Sequence, residues 1–338
     1  MKDRYNARNG GERIAIQEIA RRLDLSSTTV SRALSGKGRI GQETRERIYQ
    51  FLEENHYVPN ISERAGDLEK NICVLIPGEE GHALLPYFYE IFLNVYDYFS
   101  VLGYGVLVVK TISNDIHLLK SMVEQHKIRG AVLTRTMKGD MAIPYLKRQH
   151  IPFVVIGSVE EDDVLQVDFD QEGGCRDLTD VLLKMNIRRI ACLCGDAQHN
   201  VTRSRLRGIH AAFDAAQVPL PPELIYTGAV YPSIIERYVE DLLEKQAECI
   251  LCLDDNICIS AVSTLHKKKI KVPESIKVAS CYGSRLLGPC YPAVTCLEFD
   301  LKEMGNLASK KLLDAMEGVV DYTKLTLGYN ILIKDSTK

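Results

Sequence analysis

The sequence predicts an α/β protein with a small three-helix N-terminal head followed by two doubly wound lobes. Short amphipathic helical segments fill residues 14–58. From residue 72 onward, buried-type strands alternate with amphipathic helices. Alternation of this kind is typical of parallel sheets that are covered on both faces, and two successive series of it indicate two lobes.

Length and composition define the class of protein. A chain of 338 residues, 46% of them hydrophobic, can form two or three domains. It has no run of about 18 apolar residues, so we expect no membrane span. The polar residues 1–13 predict a flexible arm rather than a signal peptide. The ten cysteines are scattered, mostly in apolar runs, which predicts reduced, buried thiols in a cytoplasmic protein.

Charge is distributed unevenly along the chain. Residues 1–52 contain 11 Lys and Arg and 6 Asp and Glu, a net charge of +5. Since the whole chain has a net charge of −3, residues 53–338 carry −8. A basic head on an acidic body favours attraction to phosphates at one end only.

The head is predicted from the segment IQEIARRLDLSSTTVSRAL, residues 16–34. Apolar side chains at helical spacing predict a first helix, 16–23, and Ser26 is a suitable N-cap for a second, Ser27–Leu34. The second helix is apolar at Val30 and Ala33, and its other face has small polar residues and Arg32. This pattern predicts a helix-turn-helix, because such a face can approach base edges in the major groove. The alternative is an ordinary amphipathic helix pair.

A glycine-rich loop and a third helix complete the head. Gly36, Gly38 and Gly41 match G-x-G-x-x-G, but a helix precedes them and no βαβ unit surrounds them, so we interpret the segment as a flexible loop. Its Lys37 and Arg39 are candidates for DNA phosphate contacts. The helix Gln42–Asn55 is expected to complete a small core.

The body is predicted as two series of strands. The first series comprises Ile72–Pro77, Tyr104–Lys110, Gly130–Thr134 and Pro152–Ile156. The second comprises Arg189–Gly195, Leu224–Thr227, Cys249–Leu253 and Ile276–Cys281. The tail adds strand Val294–Phe299, helix Leu301–Met316 and strand Leu325–Ile333. A ligand is expected in the cleft at the carboxyl ends of the strands.

Residues 14–60 resemble the lactose-repressor/galactose-repressor family of bacterial transcriptional regulators. The resemblance is carried by S-x-x-TVSR-x-L, by TRERI and by the closing Y-x-PN, and it continues more loosely through the rest of the chain. It implies lobes of periplasmic-binding-protein type. It also implies a homodimer that binds a palindromic double-stranded DNA operator, and a small-molecule effector, sugar-like, between the lobes. It implies no cofactor.

Alignment on TVSR assigns roles in DNA binding. The expected base-reading residues are Ser27, Thr28 and Arg32. The expected phosphate contacts are Ser26, Thr29 and Ser31, in addition to Lys37 and Arg39. Residues 59–71 are expected to form the hinge, with Asn60, Gly66 and Leu68 as its notable positions. Gly66 stands where the family has a leucine that wedges into the minor groove, and Leu68 is the only nearby substitute.

The resemblance also assigns the lobes and the effector site. Lobe 1 is expected at about 72–170 plus 299–320, and lobe 2 at about 171–298 plus 321–338. The expected effector-binding residues are Tyr87, Phe88, Arg205, Asp254, Asp255 and Tyr282. The alternative role of Tyr87 and Phe88 is to pack in the core as residues of a helix. The alternative role of Asp254 and Asp255 is to cap the helix that follows them. Tyr282 stands where the family has an aspartate that binds hydroxyl groups. The effector can therefore differ from a free hexose, and a phosphorylated sugar, a glycoside and a nucleoside-like molecule remain open as alternatives.

The function predicted is a ligand-controlled transcriptional regulator, of the repressor type. No G-x-S-x-G, H-E-x-x-H or complete phosphate-loop motif is present, so we expect neither an enzyme nor a metal site. Cys249-x-x-Cys252 lies within a buried strand and is interpreted as core. Two alternatives remain: a small-molecule-binding protein or sugar-handling enzyme without a DNA role, and a regulator that needs no effector.

Overall fold

The computed structural model describes residues 13–35, 40–55, 58–60, 70–78, 86–112 and 114–338. The chain divides between residues 69 and 70 into a head and a body. Within the described residues, no helix is long and apolar enough to cross a membrane. Lys37, Arg39, Gly66 and Leu68, and the predicted arm up to residue 12, lie outside the described residues.

The head consists of three helices and one strand pair. The elements are β1 (Arg13–Ala15), α1 (Ile16–Leu23), α2 (Ser27–Ser35), α3 (Gln42–Glu54) and β2 (Val58–Asn60). The three helices begin and end within one residue of the predicted bounds. Strands β1 and β2 pair in parallel, so Asn60, a residue of the predicted hinge, lies opposite Ala15 in this small sheet.

A small apolar core holds the three helices together. It consists of Ile16, Ile19, Ala20, Leu23, Val30, Ala33, Ile48 and Leu52. Burial of each aliphatic side chain of this kind stabilises the fold by about 1.5–3 kcal/mol. Because few such residues are available, each of them contributes a large share of the stability of the head.

The body contains two six-stranded sheets. The first has the order β13-β7-β6-β5-β3-β4 and is parallel throughout. Its strands are β3 (Asn71–Pro77), β4 (Gly105–Thr111), β5 (Gly130–Leu133), β6 (Phe153–Ile156), β7 (Leu165–Phe169) and β13 (Leu325–Leu327). The second has the order β14-β12-β11-β10-β8-β9. Its strands are β8 (Ile190–Leu193), β9 (Ile225–Tyr226), β10 (Cys249–Cys252), β11 (Lys277–Ser280), β12 (Thr295–Glu298) and β14 (Asn330–Leu332).

Amphipathic helices connect the strands of each sheet. Those of the first lobe are α4 (Pro86–Ser100), α5 (His117–Glu124), α6 (Ala142–Gln149) and α11 (Leu301–Met316). Those of the second lobe are α7 (Gln171–Lys184), α8 (Asn200–Ala215), α9 (Pro232–Glu244) and α10 (Asp255–Lys267). Helix α11 returns to the first lobe and packs on α4, where Asn94 Nδ2 donates to the carbonyl of Leu301 at 3.0 Å.

Two predictions for the strands are wrong. Strand β7 was not predicted, because Gln166 and Asp168 interrupt its apolar residues and it comes after a charged loop. The single strand predicted over 325–333 for the second lobe is two strands, of which β13 pairs with β7 in the first sheet and β14 pairs antiparallel with β12 in the second. Only Gly328 and Tyr329 separate them, and the Tyr329 hydroxyl donates to Asp177 Oδ2 at 2.6 Å.

The cysteines belong to the core, as predicted. All ten are unpaired, and nine are buried, with Cys290 half-buried. Cys249 and Cys252 both lie in β10, and burial raises the pKa of each thiol. A raised thiol pKa disfavours the reactive thiolate, so these residues act as small apolar side chains.

Candidate functional site

Helix α2 is oriented by a short turn and a cap. The backbone N–H of Leu25 donates to the carbonyl of Ala20 at 2.9 Å, and Asp24 adopts a left-handed φ of 53°. Ser26 Oγ then accepts from the backbone N–H of Thr29 at 3.0 Å, which confirms the predicted N-cap. These contacts, all within a few residues, direct α2 away from α1.

The two faces of α2 differ in exposure. Val30 and Ala33 are buried against α1 and α3. Ser27, Thr28 and Arg32, the residues predicted to read bases, are exposed. Of the predicted phosphate contacts, Ser26 is exposed and Thr29 and Ser31 are half-buried. The structure therefore presents one row of small hydroxyl side chains and one arginine at the surface of the head.

A cavity of about 140 Å³ lies in the body between the two lobes. Residues that follow the carboxyl ends of strands from both sheets line it, including Thr134 after β5, Gly157 after β6 and Gly195 after β8. This is the position at which doubly wound folds bind ligands. All six residues predicted for the effector line this one cavity: Tyr87, Phe88, Arg205, Asp254, Asp255 and Tyr282.

Arg205 is held at the centre of the lining. Its side chain on α8 is 8% exposed, its Nε donates to Gln171 Oε1 at 2.8 Å, and its Nη1 donates to the carbonyl of Leu253. The guanidinium carbon lies 5.9 Å from the centre of the Tyr282 ring. Helix α8 can approach α7 closely because Gly208 has no side chain: a Cβ there would lie 2.1 Å from the carbonyl oxygen of Glu172.

Asp254 has the capping role that was the alternative prediction, and both aspartates line the cavity. Asp254 Oδ1 accepts from the backbone N–H of Ile257 at 2.8 Å and caps α10, and its side chain also lines the cavity. Asp255 is 2% exposed and accepts a hydrogen bond from the Ser284 hydroxyl. Burial raises the pKa of Asp255 to about 6, although the Ser284 hydrogen bond opposes the shift. Burial also raises the pKa of Asp254.

Three aromatic rings line the same cavity. The rings of Tyr87 and Phe88 lie 5.1 Å apart edge to face, and those of Tyr87 and Tyr282 lie 5.9 Å apart in the same geometry. Tyr282 also stacks on Phe299 at 6.1 Å. Phe88 lines the cavity and belongs to the apolar core, which is the alternative role predicted for it. Burial raises the pKa of the Tyr87 and Tyr282 hydroxyls, which therefore stay protonated.

The contribution of strand β7 to the cavity was not predicted from the sequence. Asp168 in β7 lines it and accepts from the Ser158 hydroxyl at 2.5 Å. Lys324 Nζ in turn donates to Ser158 Oγ at 2.5 Å. Burial raises the pKa of Asp168, and the Ser158 hydrogen bond and Lys324 oppose the shift. The position of Asp168 near the carboxyl end of a strand would have identified it, had β7 been predicted.

Two family models match the chain. Residues 15–60 match the model of bacterial regulatory proteins of the lacI family, and residues 179–337 match the periplasmic binding protein-like domain. The regulator MalR of Staphylococcus xylosus is 22% identical over 334 residues, which cover 96% of this chain and 98% of MalR. The repressor PurR of Haemophilus influenzae strain PittEE is 24% identical over 340 residues, with coverage of 96% and 98%.

The chain has a LacI-family helix-turn-helix domain and a periplasmic-binding-protein-like domain. Its relatives are DNA-binding transcriptional regulators rather than enzymes. Solved structures of transcriptional regulators show the same fold as this chain. A complex of the regulator CelR with cellobiose has a TM-score of 0.73 at 23% identity and covers 95% of this chain and 99% of CelR. CcpA of Lactococcus lactis has a TM-score of 0.72 at 22% identity, with coverage of 80% and 100%.

Proposed function

We propose that this chain is a LacI-family regulator that binds a palindromic operator as a homodimer and that a small molecule between the lobes controls its affinity for that operator. The exposed row Ser27, Thr28 and Arg32 is the observation that carries the first half of the proposal. A helix that buries one face and exposes short hydroxyl side chains on the other fits the major groove, and arginine can donate two hydrogen bonds to guanine.

The second half rests on the composition of the cavity. Its lining comes from both lobes, so a ligand that contacts both sides stabilises their closed arrangement over an open one. In a dimer, the arrangement of the lobes would select the spacing of the two heads. The ligand then changes operator affinity only because it binds the closed and open arrangements of the lobes with different affinities.

Selection of bound sequences from random duplexes tests the DNA half. We expect a palindrome, because a two-fold dimer reads two equivalent half-sites. Substitution R32A should weaken operator binding by about 1–3 kcal/mol and relax specificity at one base pair of each half-site. A matched control is R129A, in the body, which should leave operator affinity unchanged.

Two results would contradict the proposal. One is a purified protein without preference among duplex sequences at moderate salt. The other is an R32A variant with unchanged operator affinity, which would remove Arg32 from the base-reading set. A regulator that reads its palindrome but responds to no small molecule would instead support the effector-independent alternative.

A further inference from the structure

The side chains that line the cavity do not balance in charge. Four carboxylates contribute to the lining: Asp168, Asp196, Asp254 and Asp255. Two guanidinium groups do so, those of Arg135 and Arg205, and the Lys324 ammonium group acts on Asp168 from beside Ser158. The cavity therefore has an excess of negative charge when its acids are ionised, in a partly buried site where charges are weakly screened.

Arg205, the buried cation of the cavity, donates no hydrogen bond to Asp168, Asp254 or Asp255 among the hydrogen bonds of the described residues. Its two hydrogen bonds described above are to an amide oxygen and a backbone carbonyl, which are both neutral acceptors. Among the residues that the structure describes, neither Arg205 nor any other Lys or Arg forms an ion pair with Asp168, Asp254 or Asp255. Buried charges in proteins are usually paired, so this arrangement leaves a role for a cation that is not part of the chain.

One polar group of the cavity lacks a protein partner within the part of the chain that the structure describes. Tyr282 is 6% exposed, and its hydroxyl has no hydrogen-bond partner among the described residues. Asp254 Oδ1 caps α10, and the same carboxylate lines the cavity. A ligand that bonds to both side chains would therefore gain two polar contacts.

We propose that the ligand of this cavity carries a protonated amine together with hydroxyl groups, as an amino sugar does. The amine is balanced by Asp254 of the second lobe and Asp168 of the first, and the hydroxyls bond to Arg205 and Tyr282. This inference rests on the proposed function, because it specifies the class of effector that the same cavity takes.

The aromatic rings suit the same ligand. The aromatic rings of Tyr87, Phe88 and Tyr282 can contact the apolar face of a sugar ring. The faces of aromatic rings also attract an ammonium group within about 6 Å. A phosphate, in contrast, would be repelled by the carboxylates. Of the ligand classes left open by the sequence, the charge of the cavity therefore disfavours a phosphorylated sugar.

Calorimetric titration of the full chain at pH 7 tests the inference. The probes are D-glucosamine, D-galactosamine and D-mannosamine, each compared with its parent hexose, and D-glucose 6-phosphate. We expect one amino sugar to bind at least tenfold more tightly than its parent. In D254N that preference should fall about ten- to a hundredfold, because a charge-assisted hydrogen bond is lost. Asparagine also caps helices well, so α10 should be retained.

Two further variants complete the test. D168N removes the carboxylate from the opposite lobe and should reduce the same preference, which keeps the test valid if D254N does not fold. D162N changes an exposed aspartate outside the cavity and should leave the preference intact. The inference is overturned if a parent hexose or the phosphate binds as tightly as the amino sugars, if none of the three amino sugars binds, or if the preference survives in both D254N and D168N. A neutral hexose that binds and alters operator affinity would overturn this inference and leave the proposed function standing.

Discussion

The side chains of α2 that are expected to contact DNA are exposed, and the helix packs on a core of a few aliphatic residues. The cavity side chains that are expected to contact the ligand are instead largely buried and contact other segments of the body. Arg32 is exposed, but Arg205 is 8% exposed and bonded to two other segments. Surface substitutions on α2 should therefore change DNA binding without a change in stability. Substitutions in the cavity should change ligand response and stability together.

The largest expected effect comes from the core beneath α2. Ile48 is fully buried in the head, and I48A should cost about 2–5 kcal/mol of the head's stability. We expect loss of operator binding while ligand binding by the body is retained. Calorimetric unfolding, operator binding and ligand titration measure the three quantities. I48V, which should cost only about 0.5–1.5 kcal/mol, is the matched control. Loss of ligand binding in I48A would contradict the separation of head and body.

The second prediction concerns pH. The pKa of Asp255 is raised from 3.8 to about 6 in the folded protein, so the carboxyl group holds its proton more tightly when folded than when unfolded. The protonated Asp255 carboxyl group stabilises the folded state fully at a pH below the pKa of 3.8 that it has in the unfolded chain. This stabilisation is lost as the pH rises through about 6. At pH 7.5 the loss is on the order of 3 kcal/mol. In D255N the loss should be absent.

The measurement is the unfolding free energy of both proteins between pH 4 and pH 7.5. The stability of D255N relative to the original chain should increase across this range and become constant above about pH 7. Asp254, Arg205 and Ser284 face Asp255 and are unchanged in the comparison. Because Asp162 is exposed, D162N should run parallel to the original chain. A difference between D255N and the original that does not vary with pH would refute the assigned pKa.

The third prediction separates binding from response. R205A removes the hydrogen bonds to Gln171 and Leu253 and should cost about 1–3 kcal/mol of stability. Operator binding should persist but no longer respond to ligand. The control is R207A on the same helix, where the exposed ion pair with Glu172 at 2.8 Å is worth at most about 1 kcal/mol. If R205A still responds to ligand as the original chain does, the cavity is not the effector site.

The smallest effect is expected at an ion pair between the lobes. Arg285 Nε lies 3.6 Å from Glu90 Oε1, and both side chains are substantially exposed to solvent. A double-mutant cycle of R285A and E90A should give a coupling energy below about 1 kcal/mol that decreases further in high salt. A larger coupling that salt does not reduce would show that this pair locks the lobes.

The sequence predicted the head well because its signals are local. The N-cap Ser26 and the apolar period that includes Val30 need only a few neighbouring residues to be interpreted. Six cavity residues were also predicted together, on resemblance to a family and on the position of several at the carboxyl ends of predicted strands. Asp254, two residues beyond the end of β10, is the clearest example.

The missed features depend on contacts between distant segments. Asp168 enters the cavity because β7 pairs with β6 and β13, and Lys324 approaches Asp168 from 156 positions later in the chain. The partners of Arg205 are equally remote, since Gln171 lies 34 positions away. Hydrophobic periodicity carries no information about such pairings. The same limit explains the tail, in which an apolar run was predicted as one strand although Gly328 divides it between two sheets.

The two-residue link formed by Gly328 and Tyr329 restricts how the lobes can move. A chain covers at most about 3.5 Å per residue, so Leu327 and Asn330 cannot be more than roughly 10 Å apart. The edges of the two sheets are therefore tethered at this point whatever the cavity contains. Any ligand-driven motion of the lobes must therefore pivot near the tether, and the displacement of a residue grows with its distance from the tether. A pair of spin labels placed far from residue 328, one on each lobe, would report that motion with the greatest amplitude.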